Sequence, residues 1–272
     1  MGRVVSLICK ICSKTSSKIF RQRILDKYDV DYFQCFSCGF IQTEEPYWLK
    51  ESYLSPINTE DTGIIKRNIL LAKRTSAILF FMFDKKGSFL DYGGGYGLFV
   101  RIMRDYGFNF YWSDPFTENL FARGFEYDAA RTQKIEVVAS FECFEHFADP
   151  LQEINKMFSN SDSILFSTEI FTGTPSPDQW KYYYFSHGQH ISLFSLDSLR
   201  FIAKKYDMHL FTNGKSFHLL TRRSLNNVVF NTLLKLSLLG IPSLISLFMA
   251  SSTKLDSEAI ARTKSLTKEN IE

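Results

Sequence analysis

The stretch SFLDYGGGYGLFVRIMRDYGFNFYWSDP, residues 88 to 115, decides how the chain is read. SFLDY has the pattern of a short buried strand, four glycines crowd the next five positions, and LFVRIMRDY returns to helical spacing. A strand, a glycine turn and a helix in that order let a ligand approach the backbone and aim unpaired helix N-terminal amides at an anionic group. A dinucleotide fingerprint, G-x-G-x-x-G, needs glycine at 93, 95 and 98; residue 98 is Leu, so a nicotinamide oxidoreductase fails at its helix-packing glycine. The pattern D-x-G-x-G-x-G is met in full by Asp91, Gly93, Gly95 and Gly97. NFYWS then makes a second strand ending at Asp114, 23 residues beyond Asp91, where a carboxylate can accept hydrogen bonds from both hydroxyls of a ribose. A glycine turn without a ligand, beside a surface Asp, is the plainer alternative.

Upstream, Ile64, Ile65, Ile69, Leu71, Ile78 and Phe81 recur at near-helical spacing, with Asp61 or Thr62 as N-cap, so a helix precedes the strand. Further upstream, Cys9 and Cys12 form one C-x2-C pair, and Cys35 and Cys38 form another after 22 intervening residues. Two such knuckles supply the four thiolates of a closed, structural zinc site with no position left open for catalysis. A redox pair would leave the other two cysteines idle. Gly39 suits the tight turn after Cys38, and KIF and VDYFQ between the pairs read as short strands. The expectation is a zinc ribbon whose folding free energy comes from the metal. Cys143, in FECFEHF, has no nearby basic residue in sequence to lower its pKa and reads as a small buried hydrophobe.

The 272 residues are enough for one substantial α/β core and an appendage. Lys and Arg exceed Asp and Glu by only 3, with no long basic run, which argues against nucleic acid as the partner. Aromatic residues make up 16% of the chain, suited to a packed interior or an apolar cleft. MGRVVSLICK lacks the apolar stretch of a secretory signal, so a cytoplasmic location is expected, with membrane association left open by an apolar segment near the end.

From Asp91 through Asp114 and on through KIEVVASFECFEHFADP, residues 134 to 150, the chain resembles the class I S-adenosylmethionine-dependent methyltransferases. The resemblance spans about residues 86 to 222. It implies a Rossmann-like α/β sheet with helices on both faces, preceded by the small zinc ribbon. It also implies that Gly93 and Gly95 contact S-adenosylmethionine, that Asp91 organises the loop near its amino group, that Asp114 takes the ribose and that Pro115 and Phe116 lie near the adenine. The usual acid after a third strand has no counterpart, because FEYDAARTQK is short and irregular. From CKIC through CGFIQTEEP to DTGIIKRN the chain is similar to zinc-ribbon-bearing methyltransferases acting on sugars and related glycan intermediates. The domains read as a ribbon over 1–45, a linker and helix over 46–85, the methyltransferase domain over 86–224, and an apolar helix with a polar tail over 225–272.

Candidate bases for the acceptor are few. Glu145 and His146 follow the fourth strand: His146 either takes a proton or orders its loop, and Glu145 orients it or caps the next helix. HGQHISLFS, residues 187 to 195, carries His187 and His190 ahead of a helix capped by Ser195. In the resembling family this loop often presents a histidine to the acceptor, a role that falls to His190 before His187. Zinc ligation by these two is disfavoured for want of a third ligand. The preceding TGTPSPDQWKYYYF reads as a mobile aromatic lid or an aromatic surface loop. FNTLLKLSLLGIPSLISLFMA, residues 230 to 250, is apolar around most of its circumference. Its polar stripe and internal Pro disfavour a membrane span, leaving packing on the domain, a homodimer, or peripheral membrane contact through residues 228–250. Residues after Ser251 read as solvated and loosely ordered. The expected activity is transfer of a methyl group from S-adenosylmethionine to a hydroxyl or carbon of a small, sugar-like metabolite. The alternative is a non-catalytic protein that binds this cofactor or uses its ribbon for interaction.

Overall fold

In the computed structural model, residues 6–54, 61–132 and 134–269 are described, with side chains as far as 262. In chain order the elements begin with strands Ser6–Ile8 (β1), Thr15–Ile24 (β2), Tyr28–Gln34 (β3) and Ile41–Thr43 (β4), and helices Leu49–Ser52 (α1) and Ile64–Met82 (α2). Next come Ser88–Tyr92 (β5), Leu98–Asp105 (α3), Asn109–Ser113 (β6), Ile135–Ser140 (β7), Pro150–Phe158 (α4), Ser163–Ser167 (β8), Ser192–Leu193 (β9) and Leu196–Lys205 (α5). His209–Thr212 (β10), Phe217–Thr221 (β11), Asn227–Leu236 (α6), Ile241–Ile245 (α7) and Thr253–Glu269 (α8) complete the order. The chain divides into two units, one made of residues up to Asp61 with Val138–Asn227, the other of Thr62–Val137 with the residues from Val228 onward.

In the first unit, β1 to β4 form the antiparallel ribbon expected from the cysteine spacing, and β9 pairs with β4 as a fifth strand. Its core gathers Ile24, Val30, Tyr32, Ile41 and Trp48 from the N-terminal segment with Phe171, Tyr183, Ile191 and Leu193 from far along the chain. This corrects the lid expectation. Tyr183 is buried and stacks on Phe185 at 5.2 Å, the Gln34 amide donates to Gly173 O at 2.8 Å, and Trp48 Nε1 donates to Gly188 O at 2.7 Å. The WKYYYF stretch is therefore packed against the ribbon, because ring burial outweighs the turn-forming tendency of its flanking prolines.

The larger sheet has the order β10-β11-β8-β7-β5-β6, with β5–β6 and β7–β8 parallel and β10 and β11 antiparallel. β8 and β11 are buried at every position, the signature of strands covered on both faces. This is the mixed α/β, Rossmann-like sheet expected. In place of a third parallel strand beside β6, the described residues show an isolated bridge between Trp112 and Glu126.

Two helix ends differ from expectation. Gly63, not Asp61 or Thr62, holds the N-cap position of α2, without a side-chain cap. Asp149 caps α4 by accepting from Gln152 N, with Pro150 in the first turn, so Glu145 is not a cap. Ser195 caps α5 as expected, in a reciprocal capping box with Ser198. In the second unit the apolar segment is not one helix: it breaks at Gly240, whose φ is +107°, into α6 and α7. Residues 251–262 are mostly exposed, as expected of a solvated tail, but they are not loose. α8 anchors them, with the buried Asp256 carboxylate accepting from Arg104 Nε at 2.8 Å and Nη2 at 2.7 Å and from Arg101 Nη2 at 2.8 Å. A bidentate guanidinium and a second arginine offset the desolvation of that carboxylate.

Candidate functional site

Three groups of predicted residues can be placed. In the ribbon, Cys9 and Cys12 stand in the turn after β1, Cys35 and Cys38 in the turn after β3, and all four are free thiols. Their Sγ atoms lie within 4.8 Å of one another, with Cys9–Cys38 at 3.6 Å and Cys12–Cys35 at 3.4 Å. A tetrahedral Zn²⁺ with bonds of about 2.3 Å separates its sulfurs by about 3.8 Å, so the donor set fits this ion. Backbone amides already orient the sulfurs, Ile11 N donating to Cys9 Sγ at 3.4 Å, and Gly39 takes φ +76° to turn the chain. Cys143, half-buried, donates through Sγ to Phe141 O at 3.1 Å.

The glycine loop belongs to the second unit. Parallel pairing sets Tyr92 opposite Ser113, so the turn after β5 and Asp114 after β6 emerge together, and Gly93 N donates to Ser113 O at 2.8 Å. Asp114 ties both segments: Oδ2 accepts from Gly95 N at 2.9 Å, and Oδ1 accepts from Phe116 N at 2.7 Å and Thr117 N at 3.0 Å. Pro115 and Phe116 follow on this turn, and the Phe116 ring is 66% exposed. Gly95 has φ +53° and open space where a Cβ would stand, as a loop that receives a ligand against its backbone requires. Gly94, outside the D-x-G-x-G-x-G pattern, is also required: a Cβ there would stand 2.7 Å from Asp91 Oδ2 and 2.8 Å from Trp112 Cδ1. No sequence signal separated it from its neighbours. Asp91 is buried and its Oδ2 has no hydrogen-bond partner. Burial, then the nearby Asp114 carboxylate, pushes its pKa up to about 8.

The third group lies in the first unit. After β7, a 3-10 turn, Phe144–His146, carries Glu145 and His146. Ile191 N donates to Glu145 O at 2.9 Å, which draws the HGQHIS loop against this turn. His146 and His190 thereby meet edge to face at 4.9 Å between ring centroids, and the Glu145 carboxylate joins them within 4.8 Å. The expectation that His190 lacks further donors is thus corrected: they come from 44 and 45 residues upstream, a separation that local spacing does not reveal. His187 stands apart, beside Tyr184 at 5.7 Å.

Nδ1 of His190 is 2.6 Å from Tyr182 O, and since a carbonyl only accepts, this nitrogen carries the proton and Nε2 keeps a lone pair. His146 Nδ1 is 3.3 Å from the Tyr53 hydroxyl. The rings of Tyr182 and Tyr184 flank His190 at 4.7 and 5.2 Å. Burial pushes His146 down to about 4, and burial with His146 alongside holds His190 well below the ordinary imidazole value. Glu145 is fully buried, and neither carboxylate oxygen has a partner in hydrogen-bond geometry. Burial, then Glu142, raises its pKa to about 8, although the Tyr182 and Thr168 hydroxyls lie close enough to favour the charged form somewhat. At neutral pH the cluster therefore offers two uncharged imidazoles and a largely protonated carboxylic acid. That is a set able to pass protons but not to hold a strong fixed charge. His218, which the sequence did not single out, is the contrasting case: with Nε2 3.0 Å from Thr168 O and Nδ1 2.8 Å from Thr212 Oγ1, it is a satisfied core histidine.

A match to a family model agrees with these features. A family model described as "Methyltransferase domain" matches residues 66–212, more than half of the chain. No curated protein matches in sequence. Among solved structures, the chain is similar to the plantazolicin methyltransferase BpumL in complex with SAH, at 14% identity and a TM-score of 0.44, over 65% of this chain and 95% of that one. It is also similar to the magnesium protoporphyrin IX methyltransferase ChlM of Synechocystis PCC 6803 with bound SAH, at 12% identity and a TM-score of 0.40, over 65% and 97%. A third similarity is to an O-methyltransferase family protein from Burkholderia thailandensis, at 14% identity and a TM-score of 0.44, over 60% and 57%. By the family match, together with the glycine loop and its acids, the chain belongs to the methyltransferase-domain family and is an S-adenosylmethionine-dependent methyltransferase.

Proposed function

We propose that this methyltransferase acts on a hydroxyl, or an acidic carbon, of a small polyhydroxylated acceptor such as a sugar or glycan intermediate. The observation that supports this most is the convergence of Glu145, His146 and His190 beside the Tyr182 and Tyr184 rings. Aromatic faces suit the C–H faces of a sugar ring, and neutral imidazoles suit its weakly acidic hydroxyls. Asp91, Gly93, Gly95 and Asp114 would hold the cofactor, with Pro115 and Phe116 beside its adenine. Bound there, S-adenosylmethionine supplies an already activated methyl group. The remaining work is alignment and removal of one proton. Nε2 of His190 would take the proton from the acceptor hydroxyl, leaving the acceptor oxygen free to receive the methyl group. Tyr182 O keeps Nδ1 protonated and the ring in one orientation, while His146 and Glu145 complete the proton-passing set. Zn²⁺ on Cys9, Cys12, Cys35 and Cys38 would be structural.

Transfer of labelled methyl into a cell extract, with identification of the labelled product, tests the acceptor class. His190→Ala is expected to lower turnover about 10²- to 10⁴-fold while leaving cofactor affinity by calorimetry nearly unchanged. An unchanged rate would return this histidine to packing. A second arrangement is favoured by the 4.8 Å spacing of the three donors: a divalent ion on Glu145, His146 and His190 that polarises the acceptor hydroxyl. It predicts a second metal per chain, absent from Glu145→Gln; a single metal per chain in the wild type rules it out.

A further inference from the structure

We infer that α6, α7 and the turn after them form a docking face for an anionic lipid bilayer surface, engaging the headgroup boundary without crossing it. On the second unit Leu236, Leu238, Leu239, Leu247, Phe248 and, at the end of α2, Phe81 are exposed, with Leu239, Leu247 and Phe248 at 80%, 76% and 66%. Large apolar side chains clustered at this density mark a surface that meets something apolar. They are not unfolded core: Phe230, Leu233, Leu234 and Ile245 of the same segment are buried, so α6 and α7 have each turned one side inward and presented the other. A shallow groove runs between Phe80 and Phe81 of α2 and Leu244 and Phe248, and Lys85 closes its rim with Nζ 4.1 Å from the centre of the Phe80 ring.

Charge selects the partner. Between Asp207 and Asp256 the chain contains no Asp or Glu, so an apolar face with basic residues but no carboxylate of its own runs through α6 and α7. Lys235 lies in the last turn of α6, Lys254 in the first turn of α8, and Lys85 and Lys86 follow α2. Asp84, the carboxylate beside that pair, is turned toward its own loop, accepting from Lys86 N at 3.0 Å. Exposed leucine and phenylalanine with Lys85 at the rim of their groove, and further lysines along the same segments, match the boundary of a bilayer carrying acidic headgroups. A second copy of the chain would set these lysines against one another across a symmetric contact. Among the described residues no helix is long and apolar enough to cross a membrane, which agrees with an in-plane contact.

The test is sedimentation of the full chain with vesicles, either of phosphatidylcholine alone or mixed with phosphatidylglycerol. The chain is expected in the pellet with the mixed vesicles, less with the neutral ones, and less again in high salt. Each of Lys85→Ala and Lys235→Ala should weaken binding about fivefold. Leu239→Asp/Leu247→Asp/Phe248→Asp, which alters only exposed positions, should keep the chain in the supernatant with the circular dichroism of the wild type. Two results would overturn the inference: a wild type that stays in solution with every vesicle, or one whose pelleting the triple variant does not change. A wild-type dimer by light scattering that the triple variant converts to monomer would instead assign the face to a second copy.

Discussion

Cys38→Ser is expected to bring the zinc content from one ion per chain to well below one and to lower the melting temperature by roughly 10 °C or more. The cysteine is buried, and its carbonyl accepts from Ser195 Oγ at 2.8 Å, so the second cysteine turn and the start of α5 are held by the same residue. Losing one of four thiolates leaves an incomplete tetrahedron in a module whose remaining core is a few rings and aliphatic side chains. Zinc-binding free energies of about 10 kcal/mol or more in small metal-stabilised domains set the scale of the effect. Metal analysis by mass spectrometry and a thermal melt check it, and unchanged values in both would remove the structural role of the ion.

Asp91→Asn should act in two directions at once. In the wild type the folded-state pKa of Asp91 is raised to about 8 by burial and by Asp114, well above the ordinary carboxylate value near 3.8. The folded state therefore holds this proton more tightly than the unfolded state does. The stability it contributes is complete below about pH 4 and is lost as pH rises toward about 8, on the order of 5 kcal/mol across that window. Asparagine does not titrate, so the variant should gain stability relative to the wild type as pH rises from 4 to 8, in paired melts. Cofactor binding should move the other way. If the ammonium of S-adenosylmethionine meets this carboxylate, the ionised form is restored, and binding near pH 7 releases about one proton. Asparagine abolishes the release and weakens affinity about 10²- to 10³-fold, the scale for removing one partner of a buried charge pair. Calorimetry in buffers of different ionisation enthalpy reads both, and an equal proton count in the two proteins would separate Asp91 from the amino group.

Much of the fold was legible because its signals are local. A strand, a glycine turn and a helix within 28 residues, and cysteine pairs at matching spacing, depend on neighbours in sequence, and the structure follows them. What escaped was set by distance. The WKYYYF run looked too polar for a core, yet Tyr32, Trp48 and Phe20, more than 130 residues upstream, supply the surfaces that bury Tyr183 and partly cover Trp180, Tyr182 and Phe185. The partners of His190 were hidden for the same reason. Composition suggested a loose tail after Ser251, but Arg101 and Arg104 pair with Asp256 and hold α8 in place. Gly94 shows a subtler limit: one of three consecutive glycines is required by the side chains of Asp91 and Trp112 rather than by its own backbone angle.

The pairing of β9 with β4 also bears on how the protein is made. Ile41 and Gln42 lie opposite Leu193 and Ser192, so the ribbon's sheet lacks its last strand until residue 193 has left the ribosome. The cysteines are synthesised long before β9, so their sheet is finished late, and until β9 follows the β4 edge has no partner. A fragment cut after residue 45 would carry that bare edge permanently. The ribbon is thus begun well before the strand that completes it is made.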